Sequence, residues 1–412
     1  MKAVGLVVEY NPFHNGHKWH LSTAKKLTGC NYAVGVMSGN FLQRGEPAMF
    51  DKWKRAEMAI RGGVDLVIEL PVPFAVRSAQ YFAGGAVRLL SSLGVVSHVC
   101  FGSECEDVDL LKKISKAIDS PGVQTLFRSQ IKSGYTYAHA LSSSIANELS
   151  IPENLLSTPN SILGVEYIRA ISKFAPSIVP VAIRRRESNY HDSQIDTPFA
   201  SATAIRQALM NQEYSLLEKA LPPTTLEIIM ELLKLRRGPV TWLPFSSLVL
   251  AKLRIAGLNF LKQLPHISEG LEYKLFHSAL AATTIDELIA LLKSKRYTFT
   301  RIQRLLIYVL LELTAESMEF FDKTGPLYAR ILGFNDNGRN LLKYMANHSS
   351  IPLITKTTHY LDSSSKMYDQ LTPLQRMLSF DILATDIYSL GMPESAWRLG
   401  GWDFRLHPFY IH

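Results

Sequence analysis

The chain of 412 residues is poor in cysteine and in charged side chains. It has three cysteines, Cys30, Cys100 and Cys105, an odd number whose spacing fits neither a zinc site nor a disulfide framework. Charged residues make up 19% and hydrophobic residues 47%, which is typical of a globular protein rather than a disordered or fibrous one. The scarcity of cysteine indicates the reducing cytoplasm.

The sequence also lacks a long apolar run. The run Val4–Val8 near the N-terminus is short and leads into polar and histidine residues instead of a small-residue cleavage site, so it does not resemble a signal peptide. No other stretch is long enough to cross a bilayer. We therefore expect a cytoplasmic protein with no membrane partner, and the chain length favours two domains.

Positive charge is in excess, because 44 lysines and arginines outnumber 36 acidic residues and give a net charge of +8. A basic surface suits a polyanionic partner such as nucleic acid. Many basic proteins bind no nucleic acid, so charge alone leaves this question open.

Strand-like and helix-like segments alternate over the first half of the chain. The alternation predicts an α/β fold with a doubly wound, mostly parallel sheet, whose ligands bind beyond the carboxyl ends of the strands. The five predicted strands are Val4–Glu9, Tyr32–Met37, Val64–Leu70, Val96–Phe101 and Ile178–Arg185.

The pattern changes near Pro222 and Pro223. Beyond them the apolar residues recur with helical spacing, and little strand pattern is left. We predict a boundary near residue 215, with an α/β domain over residues 1–215 and an all-helical domain over residues 216–412. The clearest helical patterns are Leu226–Leu235, Leu271–Ala281, Ile285–Leu292, Arg301–Leu313 and Leu374–Tyr388.

The connection between the first predicted strand and helix contains the pattern His-x-Gly-His at His14, Gly16 and His17. A helix N-terminus presents N–H groups and positive potential to phosphate, and a glycine lets a ligand approach the backbone. Two imidazoles on one turn can stabilise charge on an α-phosphate as pyrophosphate leaves. The alternatives are a helix cap and a metal site, although no third ligand follows at an obvious spacing.

This pattern resembles the His-Ile-Gly-His class of nucleotidyltransferases and class I aminoacyl-tRNA synthetases, which activate substrates through the α-phosphate of ATP. That class has a second signature of the type Ile-Ser-Ser-Thr-x-Ile-Arg, matched here at Ser201, Thr203, Ile205 and Arg206. Ser201 and Thr203 can cap a helix whose N–H groups hold phosphate, with Arg206 one turn further on. An ordinary serine cap is the alternative.

Longer strings resemble one family, the bacterial tRNA(Met) cytidine acetate ligases. The resemblance implies an ATP-dependent ligase that activates free acetate as acetyl-adenylate, releases pyrophosphate, and transfers the acetyl group to N4 of the wobble cytidine of elongator tRNA(Met) with release of AMP. The matching strings are Val8–His17, Met37–Phe41, Gln43–Ala48, Asp51–Lys52, Asp65–Pro71, Phe101–Glu104, Pro159–Gly164 and Tyr190–Asp192.

The resemblance also implies site residues, with His14 and His17 as the catalytic pair. Mg²⁺ is expected on phosphate oxygens and water rather than on a protein metal site. The predicted ATP contacts are Val7, Val8, Glu9, Tyr10, Asn11, Pro12, Phe13, Asn15, Gly16, Lys18, His20, Gly102, Asn160 and Arg185, with Ser201 and Thr203 from the second signature.

Some of these ATP contacts have simpler alternatives. Gly102 also suits a plain turn, and Asn160 also suits a helix cap. Strand alternation sends Arg185 to one face and its neighbours Arg184 and Arg186 to the other, so we expect only Arg185 on the nucleotide. The long loop Ser38–Asp51 is a candidate for closing over acetate or receiving the cytidine.

A basic cluster in the second half is the candidate tRNA contact. Its cations can neutralise phosphates, and the interleaved Tyr297 and Phe299 can stack on unpaired bases. The alternative is a solvated basic helix face. The predicted tRNA contacts are Lys293, Lys295, Arg296, Arg301 and Arg304.

Two other functions share parts of this pattern. An adenylyltransferase that moves AMP onto a small phosphate-bearing cofactor precursor has the same histidine motif but needs no large basic helical half. A non-catalytic RNA-binding protein can keep the fold as a scaffold, and the intact His14, Gly16 and His17 argue against this.

Overall fold

The computed structural model describes residues 1–135, 137–153, 158–184, 199–268, 270–362 and 370–412. Its strands form one sheet with the order β5-β4-β1-β2-β3-β6-β7, and β8 pairs with β6. The strands are β1 Ala3–Val8, β2 Tyr32–Ser38, β3 Leu66–Leu70, β4 Val96–Ser103, β5 Val179–Arg184, β6 Ala329–Phe334, β7 Leu353–Ile354 and β8 Phe409–Tyr410.

Strands β1 to β5 pair in parallel, which confirms the predicted class and all five predicted strands. The chain runs outward from β1 through β2 to β3 and then returns to β4 on the other side of β1. The order therefore reverses between β1 and β4, where Leu6 lies beside Cys100. In such a sheet a crevice opens at this point, beyond the carboxyl ends of the strands, and ligands bind there.

The expectation of an all-helical chain after residue 215 is corrected by β6, β7 and β8. Strand β6 runs antiparallel to β3, with Ile331 opposite Ile68. It covers an edge of the parallel sheet that would otherwise present unpaired backbone groups. Two of the three strands are only two residues long, too short to show a period, so the helices around them dominated the sequence pattern.

Helices flank the sheet and make up most of the second half. In the first half they are α1 Asn15–Thr28, α2 Lys52–Arg61, α3 Val72–Ala75, α4 Ala79–Ser92, α5 Val108–Ala117, α6 Pro121–Lys132, α7 Tyr137–Leu149, α8 Pro159–Phe174, α9 Ala202–Met210 and α10 Tyr214–Ala220. After these come α11 Pro223–Lys234, α12 Ser246–Ile255, α13 Leu258–Gln263, α14 Leu271–Ala281, α15 Ile285–Leu292, α16 Phe299–Leu311, α17 Ala315–Thr324, α18 Asp336–His348, α19 Pro373–Ser389 and α20 Trp402–Arg405.

The sheet buries apolar side chains on both faces, because neighbouring strand residues point to opposite sides. On β2, Val34 and Val36 belong to the core that includes α4 and α8, whereas Ala33 and Met37 belong to the core that includes α1, α2 and α9. A third core joins α12, α14, α15, α16 and α19. Phe41, from the loop after β2, is part of this third core.

The helices after residue 215 pack closely on the loop after β2 and on the segment after α3. The Tyr388 hydroxyl donates to the Ala48 carbonyl at 2.7 Å, and the Tyr308 hydroxyl donates to the Val76 carbonyl at 2.8 Å. Gly45 has a φ of +83°, and a Cβ there would lie 2.3 Å from the backbone nitrogen of Arg304. The loop and α16 therefore meet backbone to backbone.

Within the described part of the chain, each helix is too short or too polar to be a membrane span.

Candidate active site

A cavity of about 670 Å³ opens at the carboxyl ends of β1 and β4, at the point where the strand order reverses. Its walls come from the β1–α1 connection, the loop after β2, α8, α9 and the start of α16. The lining residues are Val7, Val8, Glu9, Tyr10, Asn11, Gly16, His17, Trp19, His20, Gln43, Arg44, Glu46, Ala79, Phe82, Phe101, Gly102, Asn160, Ile162, Leu163, Tyr167, Ile183, Phe199, Ser201, Ala202, Thr203, Arg206, Thr300 and Arg304.

His14 and His17 form a reciprocal cap at the N-terminus of α1. The His14 Nδ1 accepts the Gly16 N–H at 3.1 Å, and the His17 Nδ1 accepts the His14 N–H at 3.2 Å. An imidazole nitrogen that accepts carries no proton, so the ring proton of each neutral histidine lies on Nε2. The two rings stack with centroids 3.6 Å apart, and the Tyr10 ring meets His17 edge-on at 4.9 Å.

The cap and the catalytic interpretations of the histidines are therefore compatible. The capping bonds use Nδ1, and Nε2 is the atom that can donate to a ligand. His17 lines the cavity. His14 is buried behind His17, and its side chain accepts a backbone N–H of the first turn of α1. Because the Nδ1 of His17 accepts a backbone N–H, its Nε2 is the ring nitrogen that can donate to charge developing on a phosphate in the cavity.

The second signature lies at the start of α9 and faces the same cavity. The Ser201 Oγ caps the helix by accepting the Ala204 N–H at 3.1 Å. The Arg206 guanidinium donates to the Thr203 Oγ1 at 3.3 Å and to the Asn11 carbonyl at 3.4 Å. Two helix N-termini and one arginine therefore converge on the cavity from segments about 190 residues apart in sequence.

Gly102 and Asn160 reach the cavity from β4 and α8. The Asn160 amide donates to a Glu104 carboxylate oxygen at 2.8 Å, and Thr158 and Ser161 also donate to Glu104, at 2.7 and 3.0 Å. Burial works to raise the pKa of Glu104, but these hydrogen bonds outweigh it and the pKa is lowered. The cap position of α8 is occupied by Thr158, so Asn160 is not the helix cap. The Asn160 side chain is instead held in place by its hydrogen bond to the ionised Glu104.

Among the described residues predicted to be catalytic or to contact ATP, five are not part of the cavity wall: Pro12, Phe13, His14, Asn15 and Lys18. The helical turn of α1 points Lys18 to solvent, and the Asn15 amide donates to the Lys219 carbonyl at 3.0 Å. Phe13 is buried in the core, against Tyr10. Arg185 and the matched string Tyr190–Asp192 lie outside the described residues.

The loop after β2 forms a cavity wall, and its Gln43 has three anchors. The Gln43 N–H donates to the Glu9 Oε1 at 2.7 Å, and the Gln43 side chain donates to the Arg77 carbonyl at 2.8 Å. The Arg304 guanidinium donates to the Gln43 carbonyl at 3.4 Å. The loop was a sequence candidate, but its contact with Arg304 depends on α16, which lies some 260 residues away in the sequence.

The predicted basic cluster divides into two parts. Lys293, Lys295 and Arg296 are exposed between α15 and α16, whereas Arg304 lines the cavity. Arg301 is partly buried and donates to the His266 carbonyl at 2.9 Å. Burial and the nearby arginines lower the pKa of His266 to about 4.

The two aromatic residues of this cluster also differ. Tyr297 is 8% exposed and belongs to the helical core, which corrects the prediction that it stacks on bases. Phe299 is 47% exposed, as such stacking requires.

Sequence reasoning missed several apolar and aromatic lining residues. They are Trp19, Phe82, Phe101, Leu163, Tyr167 and Phe199. An aromatic residue in a helix or strand is far more often part of a core, and only the fold shows which of these side chains border an opening. No group of three or more His, Cys, Asp or Glu side chains in the described segments is arranged to hold a metal ion.

The chain is similar to known proteins over nearly its whole length. Residues 1–399 match the family model described as HIGH Nucleotidyl Transferase. A tRNA(Met) cytidine acetate ligase of Thermoanaerobacter sp. is 40% identical over 99% of both chains, and one of Caldanaerobacter subterraneus is 42% identical over 96% of this chain and 97% of the relative.

Two solved structures are also similar to the chain. Crystal structures of Thermotoga maritima TmcAL, apo and bound with alpha-thio ATP, superpose with TM-scores of 0.93 and 0.90. Each is 35% identical and covers 100% of both chains.

Proposed function

The chain belongs to the tRNA(Met) cytidine acetate ligases of the HIGH nucleotidyl transferase family, and we propose that it joins acetate to tRNA(Met) at the expense of ATP. The product is N4-acetylcytidine at the wobble position of the elongator tRNA. The observation that carries the proposal is the cavity at the strand-order reversal, where the donor-bearing His17 and two helix N-termini converge.

The first step is formation of acetyl-adenylate. A carboxylate oxygen of acetate attacks the α-phosphorus of ATP, and the bond to the bridging oxygen of pyrophosphate breaks. The N-termini of α1 and α9 hold the phosphates, with Arg206 beside them. The His17 Nε2 proton stabilises the charge that grows on the phosphates, and His14 holds His17 in position.

Mg²⁺ would be carried by phosphate oxygens of the nucleotide and by water rather than by a protein metal site. The described lining residues include only two carboxylates, Glu9 and Glu46, which suits an ion carried by the nucleotide better than one held by the protein. We propose that the protein acts in the cytoplasm, the compartment that contains tRNA.

The second step transfers the acetyl group to the cytidine. We assign adenylate chemistry to residues 1–215 and tRNA binding mainly to residues 216–412. Arg304 and Thr300 form the cavity wall that the second half contributes, and Lys293, Lys295 and Arg296 lie exposed just before α16. Phosphates of the anticodon loop can lie along this exposed group while the wobble base enters the cavity.

Nucleoside mass spectrometry of tRNA incubated with the protein, ATP and labelled acetate tests the function. We expect labelled N4-acetylcytidine, together with pyrophosphate release that depends on acetate. A stable adenylylated small molecule would instead indicate an adenylyltransferase. Binding of tRNA without any pyrophosphate release would indicate a non-catalytic RNA-binding protein.

Replacing Lys293, Lys295 and Arg296 together by alanine is expected to weaken tRNA binding and to flatten its salt dependence. Each cation–phosphate interaction that the variant removes should reduce the log–log salt slope by about 0.7 to 0.9, because fewer counterions are released on binding. The measurement is tRNA affinity across a salt series.

A matched control replaces Lys112, Lys113 and Lys116, three exposed lysines of α5. The control removes the same charge from the first half of the chain, so it corrects for the change in net charge. Equal effects of the two triple variants would show that long-range charge, not local contact, governs tRNA binding.

A further inference from the structure

Glu9 directly follows the last residue of β1, at the junction between two walls of the cavity. On one side it adjoins Tyr10, whose ring contacts His17 on the wall formed by α1. On the other side its Oε1 accepts the Gln43 N–H at 2.7 Å, and Gln43 in turn accepts from Arg304 of α16. Glu9 therefore lies where the nucleotide wall meets the wall contributed by the second half.

The Glu9 carboxylate is held by one oxygen. Its other oxygen, Oε2, makes no hydrogen bond with any residue in the described part of the chain, and the side chain is only partly buried and lines the cavity. Behind it, the fully buried Arg55 donates to the Glu9 main-chain carbonyl and to the Ser38 carbonyl, so the strand end and the loop are tied together. This arrangement presents one carboxylate oxygen to a ligand.

Acetyl transfer needs such an oxygen. As the 4-amino nitrogen of cytidine attacks the acetyl carbonyl, a C–N bond forms and the nitrogen becomes positively charged. The bond from the carbonyl carbon to the phosphate oxygen then breaks, its electron pair leaves on AMP, and the nitrogen must lose one proton. A carboxylate is also the side chain that accepts hydrogen bonds from the cytosine 4-amino group in nucleic-acid recognition.

Resting on the function proposed above, we propose that the Glu9 carboxylate accepts the proton that the cytidine 4-amino group loses during acetyl transfer. The other lining carboxylate, Glu46, is directed elsewhere, since it lies 3.9 Å from the Arg206 guanidinium. The Glu9 side chain would then act on the cytidine, and only the Glu9 backbone would lie beside ATP.

Burial raises the pKa of Glu9 above that of an ordinary glutamate, which makes it a stronger proton acceptor once ionised. The hydrogen bond from Gln43 and the charges of Arg44 and Arg55 act in the opposite direction, and the charge of Glu46 adds to the rise. Transfer should therefore accelerate as pH rises through this raised pKa. Other titratable groups that line the cavity are Tyr10, His17, His20, Tyr167, Arg206 and Arg304.

The test is single-turnover acetyl transfer. Full-length protein is preincubated with ATP and labelled acetate, tRNA(Met) is added, and transfer and pyrophosphate release are followed separately across pH. In Glu9→Gln the amide oxygen still accepts the Gln43 N–H, so the loop contact survives. We expect transfer to fall about a hundredfold or more and to lose its rise with pH, while pyrophosphate release falls less than about tenfold.

Two further variants test whether a carboxylate at position 9 is what transfer requires. Glu9→Asp should recover part of the transfer rate and the rise with pH, because it restores a carboxylate. Glu46→Gln removes the neighbouring carboxylate and should keep the rise with pH.

Three results would overturn the assignment to Glu9. They are transfer by Glu9→Gln at the wild-type rate, equal losses in transfer and pyrophosphate release, and an increase in the KM for ATP that accounts for the loss.

A tRNA whose wobble base lacks the 4-amino group separates the two proposals, because the wild type should release pyrophosphate without transferring acetyl to it. A wild-type protein that makes no acetylcytidine from unmodified tRNA would overturn the proposed function, and this assignment with it.

Discussion

Replacing His17 by alanine is expected to lower acetate-dependent adenylate formation about a hundredfold or more, with a much smaller change in ATP affinity. The imidazole Nε2 proton meets charge that is larger in the transition state than in bound ATP, so its loss raises the barrier more than it weakens binding. Pyrophosphate release over a range of ATP concentrations gives the two effects separately. Equal losses in affinity and turnover would count against a catalytic role.

His17 also has a structural part, which the alanine variant removes. Its Nδ1 accepts the His14 N–H and completes the cap of α1. Asparagine is the better replacement for separating the two roles, because its side-chain oxygen can accept the same N–H but it lacks a donor at the position of Nε2. We expect His17→Asn to melt near the wild-type temperature and to be as slow as the alanine variant. Recovery of activity by asparagine would mean that capping, not donation, is the main role of His17.

Replacing Asp403 by alanine is expected to lower the free energy of unfolding by about 3 to 5 kcal/mol. Asp403 belongs to a buried group of two cations and two anions with Lys52, Glu69 and Arg330, each at most 4% exposed. The Lys52 Nζ lies 2.8 Å from a Glu69 oxygen and 2.9 Å from an Asp403 oxygen, and Arg330 pairs with both acids. Without Asp403 one buried positive charge is left uncompensated.

The control for Asp403 is Asp109→Ala, because Asp109 forms an exposed ion pair with Lys112 at 3.0 Å. An exposed pair contributes at most about 1 kcal/mol, so this variant should unfold close to the wild type in a urea titration. Similar losses in the two variants would show that the buried group does not depend on charge pairing.

The contribution of this buried group to the free energy of unfolding is expected to depend on pH. Burial opposes ionisation of Asp403, but Arg330 and Lys52 outweigh it, and the pKa of Asp403 is lowered from its ordinary 3.8. A carboxyl whose pKa is lower in the folded state stabilises the fold above its unfolded pKa and loses this contribution as pH falls through the folded value. The stability difference between wild type and Asp403→Ala should therefore shrink below about pH 4, measured as the urea midpoint at each pH.

The sequence by itself determined the parallel half of the fold and the nucleotide end of the site. Buried parallel strands are continuous apolar runs, so the five strands could be predicted from composition and spacing alone. His14, Gly16 and His17 are close in sequence, and the start of a helix after a strand already places them beyond the sheet. The Ser201 cap was predictable for the same reason, since a cap is a local interaction.

Only the tertiary structure decided how the second half completes the site. Strand β6 pairs with β3 at the sheet edge, and Arg304 donates a hydrogen bond to Gln43; both contacts join segments more than 250 residues apart. The charges of Lys52, Glu69, Arg330 and Asp403 are likewise brought together by four separate segments. Helical and strand periodicity report which face of an element is apolar, but not which distant element will cover it. The junction at Glu9 depends on that choice of partner, because it exists only where the loop after β2 is pressed against α16.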